Sequence, residues 1–147
     1  MIEIKKWDDK NPMNTQNFEE INQFLYAYLQ EYGDPKADIA KAMHFALNET
    51  ERETGGFVLA AYNDEMLVGA TVINETGMQD YIPENILVYI ATHPQQRGKG
   101  IGKALMQEAM KTCKGGIALH VEPDNPAKKL YEKLGFTNKY LEMRYVK

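Results

Sequence analysis

The chain has a single cysteine, Cys113, so no internal disulfide can staple its fold. Three scattered histidines supply no metal-ligand signature, and no metal site is expected. No apolar run approaches the roughly 18 residues of a membrane span. No basic leader followed by an apolar stretch opens the sequence. The expectation is a cytoplasmic protein with no membrane partner. Excess positive charge is missing too: 17 Lys and Arg face 21 Asp and Glu, for a net charge of −4. That balance argues against general nucleic-acid binding, although a local basic patch can still hold a small anion. Repeats, linkers and low-complexity tracts are absent, which leaves 1–147 as one domain.

What is present suits a packed core. Apolar residues make up 44% of the 147 and charged ones 26%, too apolar for disorder to be the default. "IEIKKW" alternates imperfectly and predicts a first strand, broken by "PMN". From Asn17 the spacing turns helical, with Ile21, Phe24, Leu25, Tyr28, Leu29 and Tyr32 on one face. Asn17 with Glu20 predicts the cap of that helix, and Gly33 its end. Asp34 and Pro35 predict a second helix, the aspartate as cap and the proline in the first turn. Its stripe is Ile39, Ala42, Met43, Ala46 and Leu47, and "ETERETGG" closes it.

The middle of the chain changes period. "GFVLAAY" and "MLVGATVI" flank "NDE" and predict an antiparallel hairpin over 57–62 and 66–73. "ILVYIAT", 86–92, is nearly continuous in apolar and aromatic residues, as a strand buried on both faces must be. A helix follows whose apolar residues are Leu105, Met106, Ala109 and Met110, then a strand at 117–121. In "PDNPAKKLYEKLGF", Asn125 predicts a cap, Pro126 a first turn and Gly135 a terminator, with Ala127, Leu130, Tyr131 and Leu134 sharing a face. "LEMRYV" predicts a last strand. The order describes an α/β fold with mixed strand pairing.

Between strand and helix lies "ATHPQQRGKGIGKAL", 91–105, with Gly98, Gly100 and Gly102 at alternate positions and Arg97, Lys99 and Lys103 around them. A strand, a glycine turn and a helix start gather unpaired backbone N–H groups at the positive end of a helix dipole. Missing β-carbons let a phosphate approach them. Two familiar phosphate motifs fail. A P-loop counted from Gly98 puts Lys103 where its second glycine belongs, and a dinucleotide fingerprint puts Lys103 at its third.

The segment resembles the glycine motif Gln/Arg-x-x-Gly-x-Gly/Ala of the GNAT superfamily of acyl-CoA-dependent N-acyltransferases. Arg97, Gly100 and Gly102 match it, preceded by "ATHP". "DNPAKKLYEKLGF", 124–136, resembles the late helix and following strand of the same family. The resemblance implies a mixed, mostly antiparallel central sheet flanked by helices, and transfer of acetyl from acetyl-CoA to a primary amine of a small molecule or peptide. It implies that the backbone of Gly98, Lys99, Gly100, Ile101, Gly102 and Lys103 binds the CoA pyrophosphate, with Arg97 at the turn. Tyr89, Ile90, Ala91 and Thr92 would hold the pantetheine arm in a cleft beside Leu119 and His120. Asn125 would lie beside that arm and Tyr131 near its sulfur. A homodimer is one assembly the resemblance allows.

Two chemical tasks follow from that reaction: something must accept a proton from the amine, and the departing thiolate needs a donor. Tyr131 suits the second task, a phenol that stays protonated at working pH while its ring packs on an apolar stripe. Relatives with a glutamate base place it where this chain has Ile86. Glu84, His93 and His120 are alternative groups, and Tyr28, Tyr32, Tyr81 and Glu84 are candidates for an acceptor pocket. The Ile86 departure keeps a second reading open, a non-catalytic acyl-CoA-binding regulator or sensor. No Ser-His-Asp or Cys-His pattern supports a thioester hydrolase.

Overall fold

The computed structural model describes residues 1–147. Five strands form one sheet in sequence order: β1 (Ile2–Trp7), β2 (Gly56–Asn63), β3 (Met66–Glu75), β4 (Asn85–Thr92) and β5 (Ile117–Leu119). The first three pairings are antiparallel and β4–β5 is parallel, so the sheet is mixed and mostly antiparallel. Helices α1 (Thr15–Leu29) and α2 (Lys36–Leu47) cover one face; α3 (Ile101–Thr112) and α4 (Ala127–Lys133) cover the other.

Strand β2 shows why both faces are covered. Val58, Ala60 and Tyr62 pack under α1 and α2 with Ile21, Leu25, Ile39 and Met43. The alternate residues Phe57, Leu59 and Ala61 join Leu105, Met106 and Tyr131 on the other side. A strand apolar at every position must be sandwiched. Each fully buried Leu, Ile or Met contributes roughly 1.5–3 kcal/mol of transfer free energy, which anchors both helical layers. Gly69 on β3 permits close approach: a β-carbon there would lie 2.8 Å from Ile101 and 2.9 Å from Leu105 of α3.

Several local expectations need correction. Asn14, not Asn17, caps α1, its side-chain oxygen accepting the Asn17 N–H at 2.7 Å. Helix α1 gives way at Gln30, at φ 53°, to a 3-10 turn over Gln30–Tyr32. Asp34 does not cap α2; Pro35 holds that position with no side-chain bond, and the carboxylate points elsewhere. Asn48 in the left-handed region ends α2, ahead of the glycines expected to do so. Residues 141–146 form no strand: Leu141, Met143 and Tyr145 alternate with polar neighbours but find no partner and stand exposed. The late helix is as expected. Asn125 accepts the Ala127 N–H at 2.9 Å, and Gly135, at φ 101°, lets the Phe136 N–H return to the Tyr131 carbonyl. No helix is long and apolar enough to cross a membrane.

Candidate active site

Strands β4 and β5 pair only from Asn85 with Ile117 to Leu87 with Leu119. The closed end is pinned. Asn85 donates to the carbonyls of Lys114 and Gly116 at 3.0 and 3.1 Å. The Glu84 carboxylate accepts from the Gly116 and Asp80 N–H groups at 2.7 and 3.1 Å. Past Leu119 strand β5 stops, and the outer edge of β4 from Val88 to Thr92 has no strand partner.

A bulge sits where the two strands part. Val72 pairs with Tyr89 and Ile73 with Leu87, which leaves Val88 as an extra residue. An extra residue reverses the alternation of side chains. Leu87 packs with the α3/α4 layer, whereas Tyr89 and Ala91 pack with the α1/α2 layer. The bulge thereby turns Tyr89 toward α1 and α2 and leaves unpaired backbone along the cleft. Nothing in the apolar run "ILVYIAT" marked Val88, because a bulge in an all-apolar strand leaves no break in the pattern.

Beyond Thr92 the chain turns. The His93 N–H donates to the Val68 carbonyl at 2.8 Å, and His93 Nδ1 accepts the Gln95 N–H at 3.2 Å. Gly98 and Gly100 then take φ of 80° and 81°, where L side chains are strained, and a β-carbon on either would meet no atom within 4 Å. The N–H groups of Gly98, Lys99 and Gly100 have no backbone acceptor. Helix α3 first accepts through the Gly100 carbonyl, bonded by Ala104 at 2.9 Å, so Ile101, Gly102 and Lys103 contribute the orphan donors of a helix start. The N–H groups from Gly98 to Lys103 are therefore without backbone acceptors at the positive end of the helix dipole, and the turn is open around Gly98 and Gly100. Arg97, Lys99 and Lys103 stand exposed around it with no acidic partner. Ile101 anchors the turn, its side chain buried in the core.

Gly102 differs from the other two glycines. A β-carbon there would lie 3.4 Å from Leu130 Cδ2 and 3.7 Å from Thr92 Cγ2. What comes near it is helix α4. That contact brings the α3 start beside the helix carrying Tyr131. The Tyr131 ring is 6% exposed and lies 6.1 Å from that of Phe136. Its hydroxyl bonds no protein group yet is not sealed from solvent. Burial pushes its pKa up to about 12. The phenol is fully protonated at neutral pH, a fixed donor.

The opposite face of β4 gathers other groups. The Tyr89 hydroxyl donates to Asp34 Oδ2 at 2.5 Å, and burial followed by that carboxylate pushes its pKa far up. The Tyr28 and His93 rings lie 5.0 Å apart. Tyr32 donates to the Asp124 carbonyl at 3.4 Å. Its pKa is raised by desolvation and then by Asp124, Glu31 and Glu122. Tyr28, Tyr89, Asp34 and His93 thus gather on one side of β4, while Tyr32 reaches the segment after β5.

Other sequence candidates fall away from this region. Glu84 is held at the closed end of the strand pair, and backbone N–H donors, Gly116 first and then Asp80 and its own, lower its pKa, which makes it a poor base. Tyr81 is 80% exposed in the loop before β4. His120 is exposed just past β5 and is not a core histidine. Asn125 is half-buried, its side-chain oxygen occupied by the α4 cap.

A sheet opened beside a glycine-led helix start defines the class of acyl-CoA N-acyltransferase folds. Residues 17–136 match the acetyltransferase (GNAT) family, and the chain belongs to that family. It is 30% identical over 134 residues to a mycothiol acetyltransferase of Pseudarthrobacter chlorophenolicus, covering 85% of this chain and 40% of that protein. A 60-residue stretch is 37% identical to the mouse cysteine-rich protein 2-binding protein, covering 40% of this chain and 8% of that one. The chain thus spans well under half the length of these relatives. Among solved structures, an aminoglycoside N-acetyltransferase in complex with CoA superposes with a TM-score of 0.71 at 20% identity, covering 100% of this chain and 95% of that one. A ribosomal-protein-alanine N-acetyltransferase of Brucella melitensis gives 0.65 at 21% identity, with 99% of each chain covered. These likenesses share the fold.

Proposed function

We propose that this protein transfers an acetyl group from acetyl-CoA to a primary amine. The observation that carries the reading is the run of unpaired backbone donors from Gly98 to Lys103, over open space, at the end of the strand that splits from β5. Those donors suit a pyrophosphate, and the flexible cations of Arg97, Lys99 and Lys103 add longer-range attraction. The unpaired edge of β4 from Val88 to Thr92 suits the amides of a pantetheine arm, which need the backbone partners that β5 no longer occupies. Acetyl-CoA supplies an activated thioester.

The chain's own groups then divide the work. Backbone N–H groups near the Val88 bulge polarise the carbonyl under attack. Tyr131 Oη donates a hydrogen bond to the leaving sulfur. With a pKa of about 12 against roughly 8.5 for an ordinary thiol, the phenol stabilises a developing thiolate better than it surrenders its proton. Ile86, half-buried on β4, provides no base. The amine attacks in its neutral form, and the N–H proton it sheds as the C–S bond breaks and the amide forms passes to water or to a group on the α1/α2 side of β4, while CoA leaves as the thiolate.

Tyr131→Phe tests the assignment. The ring still fills the α3/α4 core and no protein hydrogen bond is lost, so fold and CoA binding should persist. Single-turnover acetyl transfer to the best amine found by mass spectrometry should slow by roughly 10²–10³-fold, the usual cost of losing one donor to developing charge. Unchanged transfer under chemistry-limited conditions removes Tyr131 from the mechanism. Tight acetyl-CoA binding without turnover across a broad amine panel favours the sensor reading, to which the missing carboxylate at Ile86 already points.

A further inference from the structure

We propose that Asp34 is the specificity-determining residue of the acceptor site, and that it selects primary amines carrying a second positive charge. This rests on the acetyl-transfer reading. Asp34 precedes Pro35 at the start of α2, where an aspartate normally caps the helix. Here it forgoes that bond, and Oδ2 accepts the Tyr89 hydroxyl at 2.5 Å instead. Tyr89 is 8% exposed and follows the Val88 bulge on β4, so the bond ties the loop carboxylate to the strand that borders the cleft.

A carboxylate offers about four acceptor positions and Tyr89 uses one. Asp34 is exposed and pairs with no Lys, Arg or His. Its free oxygen is a fixed, unneutralised acceptor on the face opposite the glycine turn. The surroundings suit a cation: Glu31, Glu122 and Asp124 act together on Tyr32, and the Tyr28 and His93 rings present aromatic surface. A monoamine cannot be gripped as an ammonium and also attack as a neutral amine. A second charged group separates those roles, one nitrogen held by Asp34 and the other free to react.

The test uses the full chain, saturating acetyl-CoA, and four amines: putrescine, butylamine and γ-aminobutyrate, which share a four-carbon chain, and the longer spermidine. Putrescine and spermidine should exceed butylamine in kcat/KM by roughly 10–100-fold, the worth of one charged hydrogen bond, with γ-aminobutyrate the poorest. Asp34→Asn should erase that preference through the dication KM, leaving the acetyl-CoA KM and the butylamine rate in place. Tyr89→Phe, which frees the carboxylate without removing it, should reduce the dication preference by less than Asp34→Asn does, and Asp9→Asn should leave that preference intact. Equal rates for butylamine and putrescine, or an equal loss for every amine in Asp34→Asn, overturn the proposal. Calorimetric spermidine binding to the CoA-loaded wild type gives a readout apart from turnover. Binding stronger than that of butylamine supports the Asp34 site even if acetyl transfer is never found, and equal or absent binding overturns it whether or not the variant folds.

Discussion

The two sides of β4 are built in opposite ways. On the α3 side the chain works with backbone: Gly98 and Gly100 adopt a positive φ that L side chains rarely take, and consecutive N–H groups have no backbone acceptor. On the α1 side it works with side chains drawn from distant segments, Tyr28 and Asp34 from the first third of the chain, Tyr89 from β4 and His93 just past its end. A backbone site tolerates few substitutions and leaves a contiguous motif. A site assembled from side chains can be rebuilt residue by residue. One side suits an invariant phosphate, the other an acceptor that differs between family members.

Gly100→Val should break the backbone side with the largest effect. A β-branched residue at φ 81° is strained by roughly 1–3 kcal/mol, and its side chain fills the space the donors face. Losing even one charged hydrogen bond costs about 1.5–3 kcal/mol, so CoA affinity should fall tenfold to a hundredfold or more, with a lower Tm. Calorimetry with circular dichroism on the same sample separates the two. Intact CoA binding in a folded variant means the anion site is elsewhere.

The same contrast explains what could be read ahead of the structure. Strands over 57–62, 66–73 and 86–92 were legible because two-sided burial makes them apolar at nearly every position. The Asn125 and Gly135 caps were legible because they are local chemistry. The glycine turn was legible as a tight turn leading into a helix, but its glycines looked alike. Only the structure separates Gly98 and Gly100, which need a positive φ, from Gly102, which needs room for Leu130. Asp34 was misread as a cap, since no spacing rule announces a bond to Tyr89, 55 residues further along the chain. The edge of "LEMRYV" was misread because alternation gives a strand pattern without a partner to pair with.

Tyrosine titration sharpens the contrast with a smaller effect. Tyr131 owes its pKa of about 12 to burial alone, whereas Tyr89 is raised by burial and then by Asp34. Below pH 10.0, the ordinary value, these phenols are protonated in folded and unfolded chains, and their contribution to stability is complete. As pH rises from there toward about 12, the unfolded chain releases protons that folded Tyr131 still holds, so stability falls. Ring-carbon NMR shifts should show Asp34→Asn lowering the Tyr89 transition while Tyr131 stays put. Movement of both would mean that the two sides of β4 are electrostatically coupled.

Gly102→Ala should have the smallest effect and the most discriminating one. Its φ lies outside the left-handed region and it sits inside α3, so alanine retains the N–H donor and the helix dipole. Helix propensity favours alanine by up to about 1 kcal/mol, reduced near a terminus. Against that stands a 3.4 Å contact with Leu130 Cδ2, the movable end of a side chain. The expected result is a Tm unchanged or slightly raised and CoA affinity within about twofold, the range of a mild substitution. A large loss of CoA binding with Tm intact would show that the anion approaches Gly102 itself. A large drop in Tm with binding retained would show that Leu130 cannot yield, and that α4 is held on α3 more rigidly than one side-chain contact implies.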